Sequence, residues 1–202
     1  MGQGIRATVL TILAVFVLSS IAAQRVRAHA QSLMASGLAA DTLAYLRRWY
    51  VRMLLPRYNY QYLRFNAAIA AADDEQAESA LKVLLATKSK GKMRLDILLR
   101  AAHYYLGKGR YPKARTAIDE IEGMSEGKPM AESLETTYAI LANGDWSHIA
   151  EMESRLRDTT DAERPSLLML LAQQYDNKGD HKQAEHYRHL MREGLDWSPK
   201  RP

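Results

Sequence analysis

The chain has 202 residues, 47% apolar and 25% charged, a balance that belongs to folded proteins and lies outside the disordered class. Cysteine is absent, which excludes disulfides, thiolate zinc sites and cysteine nucleophiles. The net charge of +5 comes from one end: residues 1–64 carry eight arginines against Asp41, whereas residues 65–202 carry 20 basic and 22 acidic side chains, so the bulk of the chain is not a basic nucleic-acid surface.

The first element is the uncharged run at residues 7–24, ATVLTILAVFVLSSIAAQ, between Arg6 and Arg25. Eighteen residues reach the short end of what crosses a hydrocarbon layer of roughly 30 Å. Residues 1–27 are therefore read as a single-pass transmembrane or signal-anchor segment, and a cleaved secretory signal is the competing reading because small residues surround Ser20 and Ala22. The positive-inside rule favours a cytoplasmic body, while a short tail before an apolar run also begins exported proteins, so the membrane side stays open.

Residues 28–56 form a basic, aromatic linker or capping segment. A helix is expected over residues 31–55, with an apolar stripe of Leu43, Leu46, Tyr50, Met53 and Leu54, and Pro56 ends it. The stretch 45–65 interleaves arginine with Tyr, Trp and Phe. It reads as a cap over the first helical repeat, as an interfacial segment with Arg25, Arg27, Arg48, Trp49 and Arg52 at the membrane, or as a stacking surface for single-stranded RNA.

Residues 57–194 are expected to form four helical pairs: 58–72 with 75–87, 94–106 with 112–122, 130–142 with 147–157, and 165–176 with 181–193. Ala102, Tyr105, Gly109 and Ala114 recur at an offset of 70 as Ala172, Tyr175, Gly179 and Ala184. Weaker copies sit halfway, at Thr137, Ile140, Gly144 and Ile149, and 35 residues before the first set, at Ala67, Ala70, Asp74 and Ser79. Physically, the small residues let paired helices approach, the tyrosine fills the space beside them, and the glycine ends the first helix in a left-handed conformation. Gly123 and Pro129 bracket one joint, and Thr160 with Glu163 forms a candidate capping box before Pro165.

The segments AAHYYLGKGRYPKARTAI and LAQQYDNKGDHKQAEHY resemble the tetratricopeptide repeat family, with TTYAILANGDWSHIAEM a partial match and the earliest copy weaker. The resemblance implies an all-α fold: a solenoid of about four helical hairpins behind the N-terminal helix. It also implies a groove lined by the first helices, and matching columns place Arg64 and Ala68, then Leu99, His103 and Leu106, then Leu134, Tyr138 and Leu141, then Met169, Gln173 and Asp176 on its wall. Leu99, His103, Met169 and Gln173 stand where family members that capture chaperone tails carry carboxylate-clamping Lys and Asn, so that role is not expected. About half of the wall is expected to pack against neighbouring helices.

His181, Glu185 and His189 fall four apart along the last helix, a line that could ligate a metal but reads first as a solvated face. Gly107-Lys108-Gly109 lacks the strand and the Lys-Ser/Thr ending of a phosphate loop. No catalytic set can be assembled, so neither enzymatic activity, cofactor nor metal is expected. In the tail, residues 195–202, Leu195 and Trp197 are expected to fold back onto the last pair or to enter a contact with a second copy. The expected function is a membrane-anchored scaffold that binds protein segments, among them subunits of membrane complexes, with lipid at the tether end. A nucleic-acid adaptor using residues 45–65 and a secreted repeat module are the alternatives.

Overall fold

A computed structural model describes the backbone of residues 2–196 and the side chains of residues 16–194. The expectations for Leu195 and Trp197, and the side chains of the first part of the apolar run, lie outside the described residues. Among the described residues the chain is all-α, with eleven helices and no strand. It divides into two compact units, Met1–Ser89 and Lys90–Pro202, and the boundary falls inside the stretch 57–194 read from the sequence as one domain.

In the first unit, residues 5–36 contain neither glycine nor proline, and α1 runs unbroken over Gly2–Ala35. Among the described residues no helix is long and apolar enough to cross a membrane. α1 stops at Gly37, whose φ of 73° is left-handed; the Gly37 N–H donates to Met34 O and the Leu38 N–H to Leu33 O, both at 3.0 Å. The helix expected over residues 31–55 is three pieces: the end of α1, α2 (Ala39–Leu46) and α3 (Trp49–Leu54). Gly37 makes the first break, and the extended backbone of Arg48 (ψ 134°) makes the second.

The second break changes which face α3 buries. Leu43 and Leu46 are buried and Tyr50 and Leu54 half-buried, as the expected stripe requires, but Met53 is 76% exposed. Val51 and Leu55 take its place in a core with Val26, Ala30, Leu46 and Leu63.

α4 (Arg57–Ala70) begins after Pro56, and α5 (Asp74–Leu85) is N-capped by Asp73, which accepts from the Gln76 N–H at 3.0 Å. Ala67, Ala68, Ala77 and Ala80 are fully buried, and these small residues let α4 and α5 lie close along their length.

The second unit contains α6 (Gly91–Gly107), α7 (Tyr111–Glu122), α8 (Lys128–Ala142), α9 (Ile149–Asp158), α10 (Arg164–Lys178) and α11 (His181–Asp196). α6 packs on α7 and α10 on α11, each pair through the buried small residues expected of them: Ala102 and Ala114, then Ala172 and Ala184. Gly109, Gly144 and Gly179, 35 residues apart, all take positive φ. In the earliest copy the left-handed residue is Ala72 (φ 54°), not Asp74.

Arg94 spans from α6 to both carboxylate oxygens of Glu120 at 2.6 and 2.7 Å, and Arg115 reaches from α7 to Glu135 of α8 at 2.6 Å. Gly127 sits where a Cβ would come within 2.3 Å of the Ile121 carbonyl oxygen, so only glycine lets the chain cross between α7 and α8 there. The expected capping box at Thr160 does not form: the Thr159 hydroxyl meets Glu163, at 3.4 Å, and Thr160 supplies only its carbonyl.

Candidate functional site

The third pair departs from its neighbours, and the departure begins at one column. Where α7 and α11 present Ala114 and Ala184, α9 presents Ile149. A β-branched side chain there is too large for close approach. Accordingly, α8 and α9 meet only marginally, and α9 packs on α10 instead. Ile149, Met152 and Leu156 join Leu167, Leu170, Leu171 and Tyr187 in one apolar cluster, with Ile140 its contribution from α8.

Polar bonds hold α9 in this displaced position. Gln174 is fully buried on α10; its Oε1 accepts from the His148 N–H at the start of α9 at 3.0 Å, and its amide nitrogen lies 3.1 Å from Met152 Sδ. Asn177 donates to Ile140 O at 2.8 Å and Asp145 O at 3.0 Å, closing off the end of α8. Next to Met152, Glu153 Oε1 accepts from both the Tyr175 hydroxyl of α10 and the Tyr187 hydroxyl of α11 at 2.7 Å.

These phenols hold the Glu153 carboxyl below its usual range, and the carboxylate in turn pushes Tyr175 up to about 12. Tyr187 is raised too, first by burial and then by the same carboxylate. The two rings stack at 5.5 Å, and the Lys178 ammonium lies 5.8 Å over Tyr175 and 5.7 Å over Trp146.

The gap left between α8, α9 and α10 is a cavity of about 530 Å³, in the size range of pockets that hold small ligands or peptide side chains. Met152 and Leu167, both buried, and the half-buried Leu170 form its apolar part. Around them stand Glu132, Glu151 and Glu163 against one cation, Arg155, with His103 at the α6 side. Desolvation lowers the His103 pKa, which favours a neutral ring at pH 7. Thr136 and Thr137 also line the space, but each hydroxyl donates to a carbonyl one turn back, Glu132 O at 3.2 Å and Ser133 O at 3.0 Å.

Of the groove residues expected from the sequence, His103 alone lines this cavity. Leu106 and Leu134 are buried, and Leu99 and Leu141 half-buried. Tyr138 carries the Arg115 guanidinium 5.6 Å over its ring, Gln173 donates to Asn177 at 2.9 Å, and Asp176 is ion-paired with Arg188 and lies within hydrogen-bond distance of the His181 ring. Met169 is exposed, and Arg64 and the buried Ala68 belong to the first unit. As cleft residues, Leu167, Leu170, Met152, Glu132 and Glu151 escaped the sequence reading, and Glu163 entered it only as a capping residue; the visible signal was Ile149 in a column that demands a small residue.

The line His181, Glu185 and His189 is divided among other partners: His181 faces Asp176 at 3.1 Å, Glu185 holds Arg188 and Arg192, and His189 faces Glu193 at 3.3 Å. Asp119, Glu122 and Glu135 bring carboxylates together, but the Arg115 guanidinium reaches Asp119 and Glu135 at 2.6 Å each. At the other end of the chain, Arg25, Arg27, Arg48, Trp49 and Arg52 are all exposed. No family model, no curated protein and no solved structure matches this chain.

Proposed function

We propose that the protein is a membrane-tethered interaction module, similar to a tetratricopeptide scaffold, whose second unit binds a peptide segment in the cleft between α8, α9 and α10. The observation that carries this reading is the cleft itself, with its apolar floor of Met152, Leu167 and Leu170 inside an acidic rim of Glu132, Glu151 and Glu163. Such a lining fits an amphipathic segment that inserts an aliphatic side chain and points a Lys or Arg at the rim. The left-handed glycines at 109, 144 and 179 and the close pairs α6/α7 and α10/α11 support the repeat reading. The uncharged run at residues 7–24 and the exposed Phe16, Val17, Leu18 and Ile21 on α1 support the tether.

Binding rather than catalysis is the role proposed, with the threonine hydroxyls of the cleft tied to helix carbonyls. Fluorescence anisotropy with labelled Leu/Lys amphipathic peptides and their Leu/Glu counterparts tests the proposal. The lysine peptides should bind, and L170D or the pair E132K/E163K should abolish binding without loss of helical circular dichroism. Equal binding of both peptide sets, or indifference to L170D, would refute the cleft as the binding surface.

A further inference from the structure

Among the described residues, the two most exposed large apolar side chains are Met53 and Trp49, at 76% and 73%. They lie four residues apart, one turn on the same face of α3. This exposure follows from the fold of the first unit. The break at Arg48 sends Val51 and Leu55 into the core with Leu46 and Leu63, and Tyr50 and Leu54 pack at its edge. What remains on the outer side is Trp49, Met53 and Arg52, with Arg48 before and Arg57 after, all exposed. The Arg48 guanidinium donates to the Tyr50 hydroxyl at 3.1 Å and lies 5.6 Å over the Tyr45 ring, so its charge is held at the Tyr45 and Tyr50 edge of the core while the residue stays exposed.

We infer that the outer face of α3 is a contact for an anionic bilayer, in which Trp49 and Met53 enter the boundary between headgroups and acyl chains while Arg48, Arg52 and Arg57 meet lipid phosphates and carboxylates. The inference rests on the tether part of the proposed function and adds a second, charge-selective attachment to it. Charge decides the occupant: residues 1–64 hold eight arginines and one acid, Asp41. An indole with its polar edge suits the headgroup level, and each arginine close to an anionic surface strengthens partitioning about fivefold. Two apolar side chains penetrate too little to anchor a protein unaided, which makes the patch an orienting contact for a chain already at the membrane.

The test uses the full chain with W146F and W197F, so that Trp49 is the only tryptophan. Its emission is followed with phosphatidylcholine vesicles, with and without about one third phosphatidylserine, and with brominated acyl chains as quencher. The expected result is a shift to shorter wavelength and quenching with the anionic vesicles only. R52E/R57E should reduce the shift by about tenfold or more at equal lipid, and added salt should weaken it. Chain that sediments with vesicles while its Trp49 emission stays unchanged overturns this inference and leaves the tether standing; chain that does not sediment overturns both. An equal shift in pure phosphatidylcholine removes the charge selection. A shift that grows with protein concentration without lipid assigns the face to a second copy, and a shift with single-stranded RNA alone assigns it to nucleic acid; either result overturns the lipid contact.

Discussion

Replacing Glu153 is expected to loosen α9 from α10 and α11. Its Oε1 accepts two phenol hydroxyls at 2.7 Å, from Tyr175 and Tyr187. A hydrogen bond to a charged group contributes about 1.5–3 kcal/mol net. Because all three side chains are partly exposed, the lower value applies and screening roughly halves the sum, leaving about 1.5 kcal/mol for E153A. At about 1–3 kcal/mol per molar urea, the unfolding midpoint should fall by about 0.5–1.5 M. Trp146 beside Lys178 reports on this unit in a W49F/W197F background.

The pH dependence has a definite sign. Glu153 is depressed in the fold, so its contribution is complete above the ordinary glutamate value of about 4.3 and disappears as pH falls through the folded value. Tyr175 is raised, so its contribution is complete below the ordinary tyrosine value of about 10 and is lost as pH rises toward about 12. E153Q should flatten both limbs of the stability profile. An unchanged midpoint for E153A at neutral pH, or no coupling energy in an E153Q/Y187F double-mutant cycle, would refute the clamp.

Three further substitutions probe the backbone and the cleft. G127A should destabilise the second unit by about 1–3 kcal/mol in urea titration, because the added methyl meets the Ile121 carbonyl. A72G should leave the protein as stable as wild type or raise stability by up to about 1 kcal/mol, since Ala72 holds a left-handed backbone; a loss of stability would show that this turn carries no strain. Q174L should cost about 1–3 kcal/mol by leaving the His148 N–H without its acceptor, and hydrogen exchange at that amide should accelerate.

Local chemistry was legible in the sequence wherever a single residue decides the outcome. Gly109, Gly144 and Gly179 announced three turns through the need for a left-handed residue, and all three adopt it. Ala102, Ala114, Ala172 and Ala184 announced close helix contacts, and all are buried. The break at Arg47 and Arg48 carries no glycine or proline, so the periodic stripe ran straight through it and placed Met53 inside. The cleft was hidden for another reason: it depends on the distance between α8 and α9, set jointly by Ile149, Gln174 and Asn177, which are up to 28 residues apart. Only His103 was in view from both directions.

The most direct test of the central claim places a photo-crosslinking amino acid at position 103 or 137 of the full chain, with position 125 on an exposed turn as control, and irradiates native membranes. Adducts at 103 and 137, absent at 125, should map by mass spectrometry to one linear segment that alternates aliphatic and basic residues, and L170D should abolish them. Adducts equally abundant at 125, or adducts at 103 that survive L170D, would contradict a peptide-binding cleft.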